Sequence, residues 1–241
     1  RQDMTQITAN TTDGAKQGFV TIAALQKLVA FAVLLALLAF FSIFANNFAA
    51  WNNMVNIMQA TAVNGVLGVA CTFVIISGGI DLAVGTMMTL TAVSAGIVLT
   101  NLGMPLPLGI AGALGSGAIM GAISGFVIAK LKVPPFIATL GMMQIARGLA
   151  LVFSGAKPIY FNDTPSYQLI SAESSITNLI PGLDIPNGVF VMFSVAVVAA
   201  FVLNRTLFGR YVFALGSNEE AARLSGLTVL FRTLLPYTTS G

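Results

Sequence analysis

The side chains able to do chemistry are few and widely spaced. The chain has no histidine and a single cysteine, Cys71. That excludes the Ser-His-Asp and Cys-His nucleophile systems and leaves a metal ion without a nitrogen and sulfur ligand set. No G-x-x-x-x-G-K-[ST] run is present, so this chain carries no phosphate-cradling P-loop of its own. What stands out is a set of polar residues placed singly in apolar runs. Asp81 lies in "GGIDLAVG". A carboxylate there either caps the following helix, where free N–H groups and the helix dipole favour it, or serves as a proton or ion site. The capping or structural role is the simpler one. Arg147 sits inside an apolar run, which is costly unless it faces water, protein or the interface. Asn56, Gln59, Asn64 and Gln144 form hydrogen bonds without charge. They are candidates, with Arg147, to line a path for a polar solute, or they join neighbouring helices. So few buried charges are poor material for a proton relay or a charged-ion filter. A neutral, polyhydroxyl-like solute suits them better.

One short stretch is different. "GSNEEAARLSG", Gly216 to Gly226, is polar and charged. Ser217 or Asn218 can cap a helix there, with Glu219 and Glu220 in the first turn. Arg223 follows Glu220 at i+3 and can pair with it. Gly226 can end the helix. Ala221 and Ala222 leave a smooth face for a partner's groove.

The elements that must carry these residues follow from composition. Of 241 residues, 56% are hydrophobic and 8% charged, against about 25% charged in a soluble domain. Mean hydropathy is +0.90. This is a membrane protein, and apolar runs of about 20 residues identify helices as its spans. The fold class is all-α: a polytopic transmembrane helical bundle with about six spans and the start of another. The spans are placed at 28–45, 54–77, from the "GGIDLAVG" segment to about Thr100, 106–129, 136–155 and 188–204, with a further one beginning at "LTVLFRTLLP". Residues 1–27 form a polar leader without a convincing signal peptide, so the first run reads as a retained anchor. Residues 156–187 form a long outer loop with Asp163, Glu173, Asp184, Tyr160 and Tyr167, suited to docking or to covering the mouth. The segment near 77–82 is either an inside turn or a helix break within the membrane, shielded by protein. Gly117, Gly121 and Gly125 recur every fourth residue and predict close packing of another helix. The pattern stops within "PYTTSG", and the chain is expected to be part of something longer.

Orientation follows from the cations. With the N-terminus in the cytoplasm, Lys16, Lys27, Lys130, Lys132, Arg205, Arg210 and Arg223 fall inside and only Lys157 outside, as the positive-inside rule requires. Residues 205–226 are then a cytoplasmic loop. The cations report orientation, not affinity for nucleic acid.

"EAARLSG", Glu220 to Gly226, resembles the EAA motif of permease subunits of ABC importers, with "LLP" at Leu234 to Pro236 following at its own spacing. "GGIDLAVG", "KVPPFIATLGMMQIARGLALVFSG" and "GRYVFALGSNEEAARLSGL" resemble the monosaccharide importers of the ribose, galactose and xylose type. The likeness covers most of 28–241. It implies a second permease copy, a cytoplasmic ATP-binding subunit that holds ATP and Mg, and an extracytoplasmic sugar-binding protein, all working in the bacterial inner membrane. It implies no cofactor on this chain and further spans beyond Gly241. Asn218, Glu219, Glu220, Ala221, Ala222, Arg223 and Gly226 would form the helix that couples to the ATPase. The alternatives are an ion-coupled secondary transporter, for which Asp81 is the one candidate ion site, and a non-transporting membrane scaffold.

Overall fold

The computed structural model describes residues 28–161, 167, 175–176, 184–224 and 229–241, with backbone alone at 219, 223 and 229–233. It divides into two compact units, residues 1–54 and 55–241. In the first, helix α1 (Leu28–Phe44) is apolar all round, and its large side chains are exposed along the whole length. This is how a helix looks when its solvent is hydrocarbon. A turn follows at Asn47, φ +62, where the Phe48 ring lies 5.5 Å from that of Phe41.

The remaining helices are α2 (Trp51–Ile76), α3 (Val84–Gly96, running on as a π turn over Ile97–Asn101), α4 (Leu106–Leu131), α5 (Pro135–Ser154), α6 (Asn187–Arg205), α7 (Leu207–Ser217), α8 (Glu219–Leu224) and α9 (Val229–Ser240). There is no strand among the described residues. The five helices from α2 to α6 are long and apolar enough to cross a membrane; α1 is apolar but shorter. Helices therefore occupy the six expected stretches within a few residues of their expected bounds, and five of the six are long enough to span.

Breakers set the boundaries. Pro134 and Pro135 open α5, with Pro135 at the first helical position, where a missing N–H costs nothing. Gly155 closes it at φ +62, its N–H turned back to the Leu151 and Val152 carbonyls, a left-handed helix end. Thr206 divides α6 from α7: its side chain accepts the Gly209 N–H. A Cβ on Gly209 would meet the Leu203 carbonyl, so the corner needs glycine.

The core lies between α3, α4, α5 and α9. Met87 and Leu90 of α3 meet Met120 of α4 and Met142, Ala146 and Ala150 of α5. A second cluster joins Val74, Ile128 and Tyr237. The glycine stripe of α4 packs as expected, and its partner is α9. A Cβ on Gly117 would meet the Gly241 carbonyl, one on Gly121 the Tyr237 carbonyl, and one on Gly125 would lie 2.8 Å from Leu234 Cα. The two backbones run antiparallel in contact, which only small residues permit.

Two segments take a more definite form than the sequence predicts. Within 205–226, helix α7 occupies Leu207–Ser217, burying Gly209, Val212 and Leu215 at helical spacing. The segment 77–83 is a helix break. α2 ends at Ile76, Gly78 takes φ +81, and α3 begins only at Val84. The break lies among helices: Ser77, Gly78 and Gly79 share a small cavity of about 80 Å³ with Ile128, Pro135, Leu215 and Tyr237.

Candidate functional site

Asn218 separates α7 from α8 with extended backbone, φ −164 and ψ 103. Its Oδ1 accepts the Ala221 N–H at 2.9 Å, and its carbonyl accepts the Ala222 N–H at 3.0 Å. It is the N-cap of α8. Ser217, the other candidate, instead donates its hydroxyl to the Ala214 carbonyl and belongs to the end of α7. Glu220, Ala221 and Leu224 are exposed, whereas Ala222 is 5% exposed. The two alanines thus face opposite ways: Ala222 seats α8 on the chain, and Ala221 faces outward. The expected pairing of Glu220 with Arg223 and the helix end at Gly226 lie outside the described residues.

Asp81 is held at two points. Its Oδ1 accepts the Ala83 N–H at 2.9 Å. Ala83 is itself the residue that precedes α3, so the carboxylate orders the approach to the helix rather than capping its first turn. Its Oδ2 accepts the Ser240 hydroxyl at 2.6 Å, a short charge-assisted bond. Beside it, the Tyr237 hydroxyl donates to the Ile80 carbonyl at 3.4 Å. Sequence reasoning singles out neither Tyr237 nor Ser240. The one signal is "YTTS", a polar run where an apolar span is expected; a pairing across 159 residues leaves no local trace.

Among the described residues, the candidate pathway residues do not meet in any of the larger grooves. Gln144 and Arg147 lie on the exposed side of α5, away from the buried Met142, Ala146 and Ala150. Arg147 borders a groove of about 430 Å³ with Thr86, Thr89, Ser154, Lys157 and Ile159. It sits two turns before the end of α5, and Lys157 just beyond that end lines the same groove. Asn56 and Asn64 are exposed on α2 and Gln59 half-buried. None of the three borders that groove. An apolar groove of similar volume separates α2 from α6, lined by Val66, Val69, Ala70, Val195, Val198 and Phe208.

Residues 53–241 match the family described as branched-chain amino acid transport system / permease component. The chain belongs to this family. It is also similar to the ribose import permease protein of Escherichia coli (strain K12), 36% identical over 236 residues, 98% of this chain and 71% of that protein. The fructose import permease protein of Rhizobium meliloti is 39% identical over 215 residues, 87% of this chain and 58% of the relative. The L-arabinose transport system permease protein of Escherichia coli (strain K12) is 35% identical over 214 residues, 89% and 62%. No solved structure matches. The permease is thus a multi-pass membrane protein of the ABC transporter class.

The start of the permease's 156–187 segment is packed down rather than free. Ile159 and Phe161 lie against Gly96, where a Cβ would be 2.8 Å from Ile159 Cγ2. Tyr167 stacks on Phe161 with ring centres 4.3 Å apart and borders a groove between α3 and α4. Asp163 and Glu173 lie outside the described residues.

Proposed function

We propose that this permease is the membrane subunit of an ATP-driven importer of a neutral monosaccharide. The observation that carries the reading is the agreement among its relatives. The family description speaks of branched-chain amino acids, yet relatives covering 87–98% of this chain carry ribose, fructose and arabinose in their names. Relatives matched over the whole chain weigh more than a family heading, so a sugar is the better substrate class.

α8 supports the coupling role. It is short, capped by Asn218, and set between α7 and α9 with Glu220, Ala221 and Leu224 turned outward. A cytoplasmic ATPase subunit receives it and supplies ATP and Mg. Nucleotide-driven closure of that partner then moves α8, and alternating access follows. The N-terminus lies in the cytoplasm of a bacterial cell, in its inner membrane, with a sugar-binding protein at the outer mouth. A second copy completes the pathway. The open side of α5, where Gly141 and Gly148 have free space around them, leaves room for such a neighbour. The ion-coupled alternative rests on Asp81 alone, and the bonds that this carboxylate accepts from the Ala83 N–H and the Ser240 hydroxyl support a structural role for it.

The test is uptake by cells expressing the full-length system, with labelled ribose, fructose, arabinose and leucine offered in turn. Uptake of one sugar, competed by related sugars and abolished with the ATPase gene deleted, is expected. Uptake of leucine alone, or uptake that persists without the ATPase, overturns the reading.

A further inference from the structure

Both helices that flank α8 also grip the break between α2 and α3. α7 reaches it through Gly216: a Cβ there would meet the Ile76 carbonyl, and one on Gly78 would lie 3.7 Å from Gly216 Cα. α9 reaches it through two side chains. Tyr237, with no exposed surface, lies where a Cβ on Gly79 would sit and bonds the Ile80 carbonyl. Ser240 bonds Asp81 Oδ2, while the other oxygen of the same carboxylate holds the backbone just before α3. α3 in turn packs on α5 and borders the groove that contains Arg147.

We propose that Asp81 and Ser240 are positioning residues that tie α9 to the start of α3, so that a displacement of α8 is delivered to α3 rather than lost in the break. A simple turn would not transmit it. The segment 77–83 lies outside any helix, so no helical hydrogen-bond ladder carries a displacement across it, and a carboxylate bonded on both sides supplies a link there. The Gly216 contact resists compression only, whereas the Asp81–Ser240 bond also resists separation. The two contacts together allow movement to pass in either direction. This inference rests on the ATP-driven reading.

The experiment uses the full-length permease with its ATPase and binding protein in proteoliposomes, and reads sugar imported per ATP hydrolysed. A loss of packing alone would lower the yield of assembled complex and leave that ratio unmoved. Ser240→Ala is expected to assemble and hydrolyse ATP while the ratio falls about fivefold or more, the lower range of ordinary inter-site coupling. Asp81→Ala combined with Ser240→Ala is expected to be no worse than the poorer single change. With Cys71→Ser as background, Asp81→Cys and Ser240→Cys joined by a two-carbon bis-methanethiosulfonate are expected to regain the wild-type ratio, and to lose it again on reduction. This joined-against-unjoined comparison uses one assembled sample and so holds even where alanine disturbs folding. A wild-type ratio in Ser240→Ala overturns the tie, as does a joined pair no better than the unjoined one. Loss of uptake in Asp81→Asn with Ser240→Ala silent also overturns it and assigns Asp81 to the solute or an ion. A wild-type complex that imports sugar without hydrolysing ATP refutes the ATP-driven reading instead, so the two failures are separable.

Discussion

A methyl group is the smallest probe of how closely α4 and α9 approach. At Gly121 it would meet backbone atoms of Tyr237 and Thr238, which cannot swing aside. Gly121→Ala is expected to destabilise the chain by about 1–3 kcal/mol, the range for overpacking. Gly115, on the same helix with nothing within 4 Å, should accept alanine with a small gain, up to about 1 kcal/mol from helix propensity. Thermal unfolding in one detergent compares the two, and equal shifts would deny the contact. Ser124 gives the opposite case. Its hydroxyl is fully buried and has no hydrogen-bond partner among the described residues. Ser124→Ala removes an unpaired polar group and is expected to leave stability unchanged or raise it by about 1 kcal/mol; a clear loss would mean that the hydroxyl has a partner after all. The glycine spacing was legible as a close-packing stripe. Which helix fills it was not, because small and apolar side chains recur in every neighbouring span and several helices fit the stripe on size alone.

At the scale of elements, α8 depends on its cap. A six-residue helix is too short to hold itself by propagation alone. Asn218→Ala is expected to cost about 1 kcal/mol locally, while Asn218→Asp keeps the acceptor and the helix. Amide exchange at Ala221 and Ala222 reads this directly. Faster exchange in the alanine variant only is the expected result, and equal exchange in both contradicts the cap. The end of α5 tests backbone strain in the same manner. Ala156 follows Gly155 with φ +54, a left-handed conformation that costs a residue with a Cβ about 1 kcal/mol. Ala156→Gly is expected to recover most of that in a thermal melt, and a lower melting temperature would oppose it. The span limits were readable because prolines, glycines and cations punctuate them. α7 was hidden by its length and by Arg210, which made an amphipathic helix resemble a charged loop.

For the whole molecule, hydropathy alone was enough to identify the membrane class, and the motifs around Asp81, Arg147 and Glu220 were enough to identify the family. The arrangement of the site was less open to reading. Asp81 was visible as the odd carboxylate of an apolar segment, but its role depends on Ser240, and only the fold brings the two together. Arg147 was visible as a cation in a span, but its groove with Lys157 depends on how α3 and α5 pack. Among the described residues, Asn56, Gln59, Asn64 and Gln144 line none of the larger grooves.

The function proposed for this permease turns on α8 being the place where an ATPase takes hold. The most direct measurement is gentle purification of the full-length permease from its native membrane, as wild type and as Ala221→Trp, with the bound proteins identified by mass spectrometry. Ala221 is exposed, so a large ring there obstructs a partner without entering the fold. The expected result is a stoichiometric ATP-binding protein with the wild type, lost from a variant that still folds. An ATP-binding protein retained in full by Ala221→Trp, or absent from both, would contradict the coupling role of α8.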